Sequence, residues 1–403
     1  MQIFINVEEP GSLPNLIAEN RKYQIKNLRL AGYLNGTDIN YIREMCGSDS
    51  NGNSTVGALE ILDISGCMIV SGGRSYYQSN FTSDNIIGSY MFYNCKVLTT
   101  LRLPDSISSI GDFAFADCER LSVISVPNSV EYYGKQSFRN NISLLRAPMP
   151  NDLKTIDDMA FSGCNGLSEI TIPSNVTNIG SGITINCQNL ELINVDAGNT
   201  NYTSRDGVLY NSSIDELIIY PIGLDGSEFV VPEGVKQIAA YAFMNAKELK
   251  IVHLPSSLIH IGQDSFVGCV NLTALRIKAL TPPTCQNDCF DDISKTRCEL
   301  YVPIGCRSSY WVAPVWSEFN KITEIDFGGI KNVYSDNVQV KIENGTISIS
   351  GCPSDTVIRI YNTKGNLLYQ AYACNNVVEF NPYTRGVYFV VLGSKTYKIK
   401  FDI

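Results

Sequence analysis

The stretch IGDFAFADCERLSVISVPNSV, residues 110–130, decides the fold because close copies of it recur along the chain. IGSYMFYNCKVLTTLRLPDSI precedes it at 87–107, YGKQSFRNNISLLRAPMPNDL follows at 133–153, and IDDMAFSGCNGLSEITIPSNV follows at 156–176. Each copy begins 23 residues after the one before it. A fixed period of this size predicts a solenoid, in which each coil buries its apolar face against its neighbours.

Two slots of the period carry the residues expected to fill the interior. Phenylalanine takes the first slot and cysteine takes the second, three residues later. Thiols at matching positions of successive coils behave as small buried apolar groups, so we expect a ladder without disulfides or metal. The first slot holds Phe92, Phe115, Phe138, Phe161, Thr184, Phe243 and Phe266, and the second holds Cys95, Cys118, Asn141, Cys164, Cys187, Ala246 and Cys269.

The end of each repeat predicts a short strand. The pattern LxxLxL-Pro is clear at Leu98, Leu101, Leu103 and Pro104, and its last apolar step has period two. Proline cannot donate a ladder hydrogen bond, so it ends the strand. The Ala-Phe segment that follows is expected to form the opposite wall of the coil.

The chain divides by pattern into three parts. We predict an N-terminal cap with divergent repeats over 1–86, a solenoid over 87–328, and a β-sandwich over 335–403. In the first part, TDINYIREMC has helical periodicity, with Thr37 or Asp38 as its N-cap, and fits a terminal cap over the stack. In the second part, Asp206-Gly207 predicts the turn of a hairpin inserted near 196–230.

The third part consists of short alternating strands joined by glycine-containing turns. This pattern predicts a small Ig-like β-sandwich. The inward positions are predicted to be Ile358 with Ile360, Val387 with Phe389 and Val391, and Ile399 with Phe401.

Composition argues against several classes of function. The net charge of −9 disfavours general nucleic-acid binding, and no apolar run is long enough to span a membrane. His253 and His260 are the two histidines of the sequence, which nearly excludes histidine-based triads, and there is no P-loop or dinucleotide-binding glycine motif. We therefore expect no enzyme activity and no cofactor.

Metal sites are also not expected. The spacing of Cys285, Cys289, Cys298 and Cys306 does not resemble a zinc site, which leaves these four either bridged or free. A disulfide between Cys352 and Cys374 is expected if the compartment is oxidising.

One segment resembles a calcium-binding loop. Asp49, Asn51, Asn53 and Glu60 match ligand positions of an EF-hand, but Ser54 stands where the sharp turn requires glycine. Glu60 also falls within a predicted strand. We interpret the segment as a solvated loop.

With these residues laid out, the chain resembles the BspA-like leucine-rich repeat surface proteins of Gram-negative gut and oral bacteria. The shared pattern is IGxxAFxxCxxLxxIxIPxSV, over roughly residues 87–280. RGVYFVVL and YKIKF are similar to strands of the C-terminal sorting or anchoring β-sandwich of exported proteins in the same bacteria. The resemblance implies export, with a signal segment removed from this chain, and adhesion to a host or bacterial surface protein.

The residues free to meet a partner lie on either side of the middle apolar position of LxxLxL. They point onto the open face of the strands and read as a partly apolar, locally basic strip. The function predicted from this strip is non-enzymatic protein binding, with a glycan as a possible ligand. The alternatives are a structural module that spaces or presents another domain, and a carbohydrate-binding surface protein. The candidate binding residues are Arg102, Arg146, Glu169, Thr171, Asn194, His253 and Arg276, and the same columns hold Thr100, Val123, Ser125, Pro148, Leu192, Ile251 and Ala274.

Overall fold

The fold was analysed in a computed structural model that describes residues 2–286, 288–327, 339–343, 346–350, 357–363, 366–372, 377–380, 386–392 and 395–401. The chain forms two compact units, Met1–Ile325 and Asp326–Ile403. Unit one is a mainly β solenoid, which confirms the predicted fold class. No helix in the described part of the chain is long and apolar enough to cross a bilayer.

One wall of the solenoid is built from parallel strands at the LxxLxL segments. We call the outward-pointing side of these strands the strand face. The wall is divided into three sheets. The first contains Ile3–Val7, Asn27–Leu34, Ile61–Ile69, Thr100–Arg102 and Val123–Ser125; the second contains Glu169–Ile172 and Leu192–Val195; the third contains Glu228–Val230, Ile251–Leu254, Ala274–Ile277, Glu299–Pro303 and Ile322–Ile325.

The opposite side, which we call the second wall, carries shorter strands in two sheets. A separate two-stranded hairpin, Gly72–Tyr77 with Asn80–Thr82, packs on the helix of the N-terminal region. The strands of the second wall are Ile86–Ile87, Ser109–Ile110, Tyr132–Tyr133, Thr155–Ile156 and Asn178–Ile179 in one sheet, and Tyr202–Arg205, Val208–Asn211, Glu216–Ile219, Gln237–Ile238, His260–Ile261 and Thr284–Cys285 in the other.

The phenylalanine slot forms a stacked ladder inside the coils. The rings of Phe138 and Phe161 stack with centroids 5.1 Å apart at an interplanar angle of 4°, and the earlier pairs stack in the same way. Thr184 interrupts the ladder, which resumes with Phe243 and Phe266 at 4.8 Å. All of these rings are fully buried. Stacked aromatic pairs add to the free energy gained by burial, so this column ties each coil to the next.

The cysteine slot is also buried, and each of its thiols is free, as predicted. The Cys118 thiol donates to the carbonyl of Phe92 in the preceding coil, with Sγ 3.0 Å from the oxygen. Cys164, Cys187 and Cys269 donate to the matching carbonyl in their preceding coils. Each of these carbonyls also accepts a backbone N–H of its own coil, as Phe92 does from Cys95 at 3.2 Å, so the thiol supplies a second donor that links two coils.

Three α-helices, Leu13–Leu16, Gly36–Met45 and Arg307–Val312, and two 3₁₀ turns, Glu19–Gln24 and Trp316–Glu318, complete unit one. The prediction that Thr37 or Asp38 caps the second helix was wrong. Asn35 is the N-cap, and Asp38 at the third helical position accepts from the Asn35 backbone N–H, closing a capping box.

The same helix is a wall element and not the end of the stack. A further parallel strand, Ile3–Val7, lies outside the strand that precedes the helix. The buried Arg43 guanidinium donates to the carbonyls of Tyr90 and Met91 in the next coil. The helix thus packs against the segment that follows the second-wall strand Ile86–Ile87 in the next coil.

The insert forms the predicted hairpin, with Tyr202–Arg205 antiparallel to Val208–Asn211 around Asp206-Gly207. Tyr220, which lies 23 residues before Phe243, fills the phenylalanine slot directly after the insert and stacks on Phe243 at 5.0 Å. The Gly223 N–H donates to the Leu190 carbonyl at 2.8 Å. A side chain at Gly223 would meet that same oxygen, so close contact of the coils requires glycine here.

The described residues of unit two form two antiparallel sheets that share one apolar core. Ile358 and Ile360 are buried as predicted, but Val387, Phe389 and Val391 are only half-buried. The inward residues of that strand are Tyr388, Val390 and Leu392. Ile399 and Phe401 have side chains outside the described set. The strands are Gln339–Glu343, Thr346–Ser350 and Val377–Phe380 in one sheet, and Leu367–Tyr372, Val357–Asn362, Gly386–Leu392 and Lys395–Phe401 in the other.

Candidate functional site

The strand face presents its outward side chains in rows that run across neighbouring strands. In the first sheet one row is Phe4, Arg29, Asp63, Arg102 and Ser125, each in register with the next. Phe4, Arg29, Arg102 and Ser125 are exposed. This row is the most regular outward surface in the N-terminal half.

Arg102 is not an isolated cation in this row. Asp63 lies opposite it on the next strand, and Arg29 lies on the other side of Asp63, with Nε 3.7 Å from a carboxylate oxygen. Burial acts to raise the pKa of Asp63, but hydrogen bonds from Ser65 and the charges of Arg29 and Arg102 outweigh it and hold the pKa below its usual range. The carboxylate is therefore ionised at neutral pH and partly balances the two guanidinium groups.

The middle of the strand face is interrupted. Arg146 and Pro148 lie in a coil whose LxxLxL segment forms no strand, although Arg146 is exposed. Pro148 lacks the N–H that a ladder needs, and this accounts for the break. Beyond it, Glu169 lies opposite Leu192 and Thr171 lies opposite Asn194 in the two-stranded sheet.

The third sheet carries the richest set of polar contacts. His253, Arg276 and Tyr301 follow one another across three strands, and the Arg276 guanidinium lies over the Tyr301 ring at 5.4 Å. His253 Nε2 contacts a Glu228 carboxylate oxygen. Such a row of imidazole, guanidinium and phenol is suited to polar recognition at a surface.

A second row of the same sheet contains Ile251, Ala274 and Glu299. Ala274 was expected on the open face, but it is buried because its short side chain lies between two longer neighbours. Glu299 accepts from Lys321 at 2.6 Å and from Thr323 at 2.7 Å.

The structure therefore places the three arginines of the candidate set in separate parts of the strand face. The strand face also contains the carboxylates Asp63, Glu228 and Glu299. The surface is therefore mixed in charge, whereas the sequence predicted a locally basic strip. The outward positions predicted from the sequence did not include these residues, because only the clearest repeats were aligned to find those positions. Two features of the sequence could have identified them. Asp63 lies in the LEILDIS motif at 59–65, and Glu228 lies 23 residues before Ile251.

The alternative metal sites find no support in the described residues. Asp49 accepts from the N–H groups of Asn51 and Asn53, so its carboxylate closes a tight loop, and Glu60 pairs with Lys26. Cys285, Cys289, Cys298 and Cys306 are unpaired, and no three potential ligands converge on one point within the described chain. Cys352 and Cys374 lie outside the described residues.

The two histidines belong to different walls. His253 lies on the strand face and His260 lies on the second wall, where Nδ1 is 2.9 Å from the Thr284 hydroxyl.

Solved structures with similar folds come from bacterial leucine-rich repeat proteins. A leucine-rich repeat protein from Eubacterium ventriosum is 24% identical, with 68% of this chain and 72% of that chain covered and a TM-score of 0.49. A leucine-rich cell surface protein from Faecalibacterium prausnitzii is 22% identical, with 76% and 81% covered and a TM-score of 0.49. No curated protein matches the chain.

The repeats themselves match a family model. The model describes the BspA type leucine-rich repeat region, and it matches in six copies over residues 85–215 and 224–309. These ranges cover the stacked phenylalanine slots, the thiols of the cysteine slot and more than half of the strands of the strand face. The chain therefore belongs to the BspA-type leucine-rich repeat family.

Proposed function

We propose that this chain is a non-enzymatic surface or secreted protein that binds a protein ligand on the strand face. Its membership of a family of leucine-rich repeat surface proteins supports the location. The candidate residues are Arg102 in the first sheet, His253 and Arg276 in the third, and Arg146, Glu169, Thr171 and Asn194 between those sheets.

One observation carries the proposal. The strand face exposes large apolar side chains beside its charged rows, with Phe4 61% exposed, Val123 55% and Val230 58%. Phe4 lies in register with Arg29 and Val230 lies in register with His253, so apolar and polar side chains lie side by side on neighbouring strands. Apolar groups next to arginine and tyrosine are the usual composition of a protein-binding surface.

The mixed charge also favours a protein ligand. Arg29 and Arg102 flank Asp63, His253 contacts Glu228, and Glu299 lies on the strand next to Arg276, diagonally across from it. Alternating charges at fixed spacing select a partner with the opposite arrangement and disfavour others.

Charge reversal tests the proposal. The variant Arg102→Glu, Arg146→Glu, Arg276→Glu is compared with the wild type against purified host extracellular-matrix proteins and purified bacterial surface proteins by biolayer interferometry. We expect the wild type to bind at least one of them and the variant to bind it at least about tenfold more weakly, because the reversed charges repel the partner's matching carboxylates.

The matched control is Lys135→Glu, Lys154→Glu, Lys236→Glu, which changes the net charge equally on the second wall. The control is expected to bind as the wild type does. Equal binding by both triple variants and the wild type would place the contact elsewhere, and absence of binding to any protein would favour the spacer.

A further inference from the structure

A cavity of about 520 Å³ opens on the second wall where the hairpin insert separates the two wall sheets. The first wall sheet ends at Asn178–Ile179, and the next begins at Tyr202–Arg205. The Tyr202 hydroxyl, and not another strand, accepts from the Ile179 N–H at 2.9 Å. The insert thus ends the regular ladder and leaves a concave space at the junction.

The edge of the cavity contains an unused backbone donor. In the preceding coil, the Met159 N–H donates to the Ser181 carbonyl of the following coil at 3.0 Å. Gly182 lies 23 residues after Met159, at the same position one coil later, and it lines the cavity. Its N–H has no acceptor within the described chain. The insert replaces the coil that would have supplied this acceptor, so a bound ligand could accept the hydrogen bond instead.

The wall of the cavity is a row of polar side chains. Glu216, Gln237 and His260 lie in register on three neighbouring parallel strands, about 4.8 Å from one strand to the next. The half-buried Glu216 carboxylate and the Gln237 amide have no hydrogen-bond or ion-pair partner within the described residues. His260 forms a hydrogen bond with the Thr284 hydroxyl through Nδ1, so its Nε2 remains available to a ligand.

The lining determines the class of ligand. Among the described residues that line the cavity there is no lysine or arginine, so it does not suit a phosphate, a sulfate or a carboxylate. Amides, a carboxylate, an imidazole and a phenol outnumber the apolar side chains, so it does not suit a lipid or an aromatic drug-like molecule. The Glu216 carboxylate can accept and the Gln237 amide can donate and accept on neighbouring strands, which suits vicinal hydroxyl groups.

We propose that this cavity binds a neutral sugar, either as a free oligosaccharide or as the end of a glycan, with Glu216 and Gln237 accepting and donating to its hydroxyls. The volume falls within the range of small-molecule sites in proteins. The site is separate from the strand face and does not depend on the protein-binding role proposed there.

A neutral-glycan array followed by titration calorimetry with the full chain tests the proposal. We expect the wild type to bind at least one neutral glycan. Gln237→Ala should weaken that binding by about tenfold through loss of a hydrogen bond, and Glu216→Gln should weaken it by about tenfold because an amide replaces a charged acceptor. Gln237 is exposed, so its truncation leaves folding unchanged, as a thermal melt would verify.

The matched control is Thr155→Ala, since Thr155 takes the same position on a strand of the regular wall. The control and the strand-face triple variant are expected to bind the glycan as the wild type does. No neutral-glycan binding at millimolar concentration, binding of charged glycans only, or equal affinity in all variants would overturn the proposal.

Discussion

At the residue scale, the two interior slots explain why the repeat keeps phenylalanine and cysteine. Both columns were predictable because identical spacing brings identical side chains together. The acceptor of each thiol, the phenylalanine carbonyl of the preceding coil, was not predictable, since it depends on how far successive coils are offset. Asn141 and Ala246 occupy the same slot in other coils, so the column tolerates replacement of the thiol.

Burial of the thiols should make stability fall in alkaline solution. Burial raises the pKa of Cys187 to about 12, while hydrogen bonds from the Cys164 and Gly163 N–H groups act in the opposite direction. The unfolded chain loses this proton near pH 9, so the folded state binds more protons between about pH 9 and pH 12. One such thiol lowers the free energy of unfolding by about 1.4 kcal/mol per pH unit in that window.

Urea unfolding of the wild type and of Cys187→Ala at pH 8, 9.5 and 10.5 measures the effect. The variant should lose stability less steeply above pH 9, by about 1.4 kcal/mol per unit, while the two curves run parallel below pH 9. Parallel curves across the whole range would show that the thiol is not held protonated by the fold.

At the scale of elements, the sequence predicted the strands better than their register or their ends. The strand Gly386–Leu392 is apolar at both alternating sets of positions, so period two could not tell which set faces the core. Pairing of Ile358 with Leu392 and of Ile360 with Val390 decides it. The helix start was misplaced because Asn35, Thr37 and Asp38 are all good caps, and only backbone geometry distinguishes them.

The junction after the insert depends on one glycine. A Cβ on Gly223 would lie 2.8 Å from the Leu190 oxygen and from the Asn189 carbonyl carbon, both in the backbone. We expect Gly223→Ala to lower the free energy of unfolding by about 1–3 kcal/mol, the usual cost of overpacking.

Chemical denaturation followed by circular dichroism measures this loss. The control is Gly198→Ala, where the added carbon meets a single side-chain atom at 3.3 Å. Gly198→Ala should lower the free energy of unfolding much less than Gly223→Ala does. A Gly223→Ala variant as stable as the wild type would mean that the two coils are not held in contact.

At the scale of the whole molecule, the core of unit one separates into two buried clusters at the insert. The sequence located the insert and the solenoid, but the split strand face and the junction cavity could not be predicted. They arise from a proline that removes a strand and from a hairpin that ends a sheet. The candidate residues were selected by column, and only the assembled sheets show which carboxylates lie beside them.

The proposed function requires that the protein ligand contacts the strand face. Hydrogen–deuterium exchange of the chain, alone and saturated with the protein ligand found in the binding assay, tests it most directly. We predict slower exchange in the strands Ile61–Ile69, Thr100–Arg102, Ile251–Leu254 and Ala274–Ile277, with the second-wall strands Ser109–Ile110 and Thr155–Ile156 unchanged. Protection confined to the second wall, with unchanged exchange in those face strands, would contradict the account.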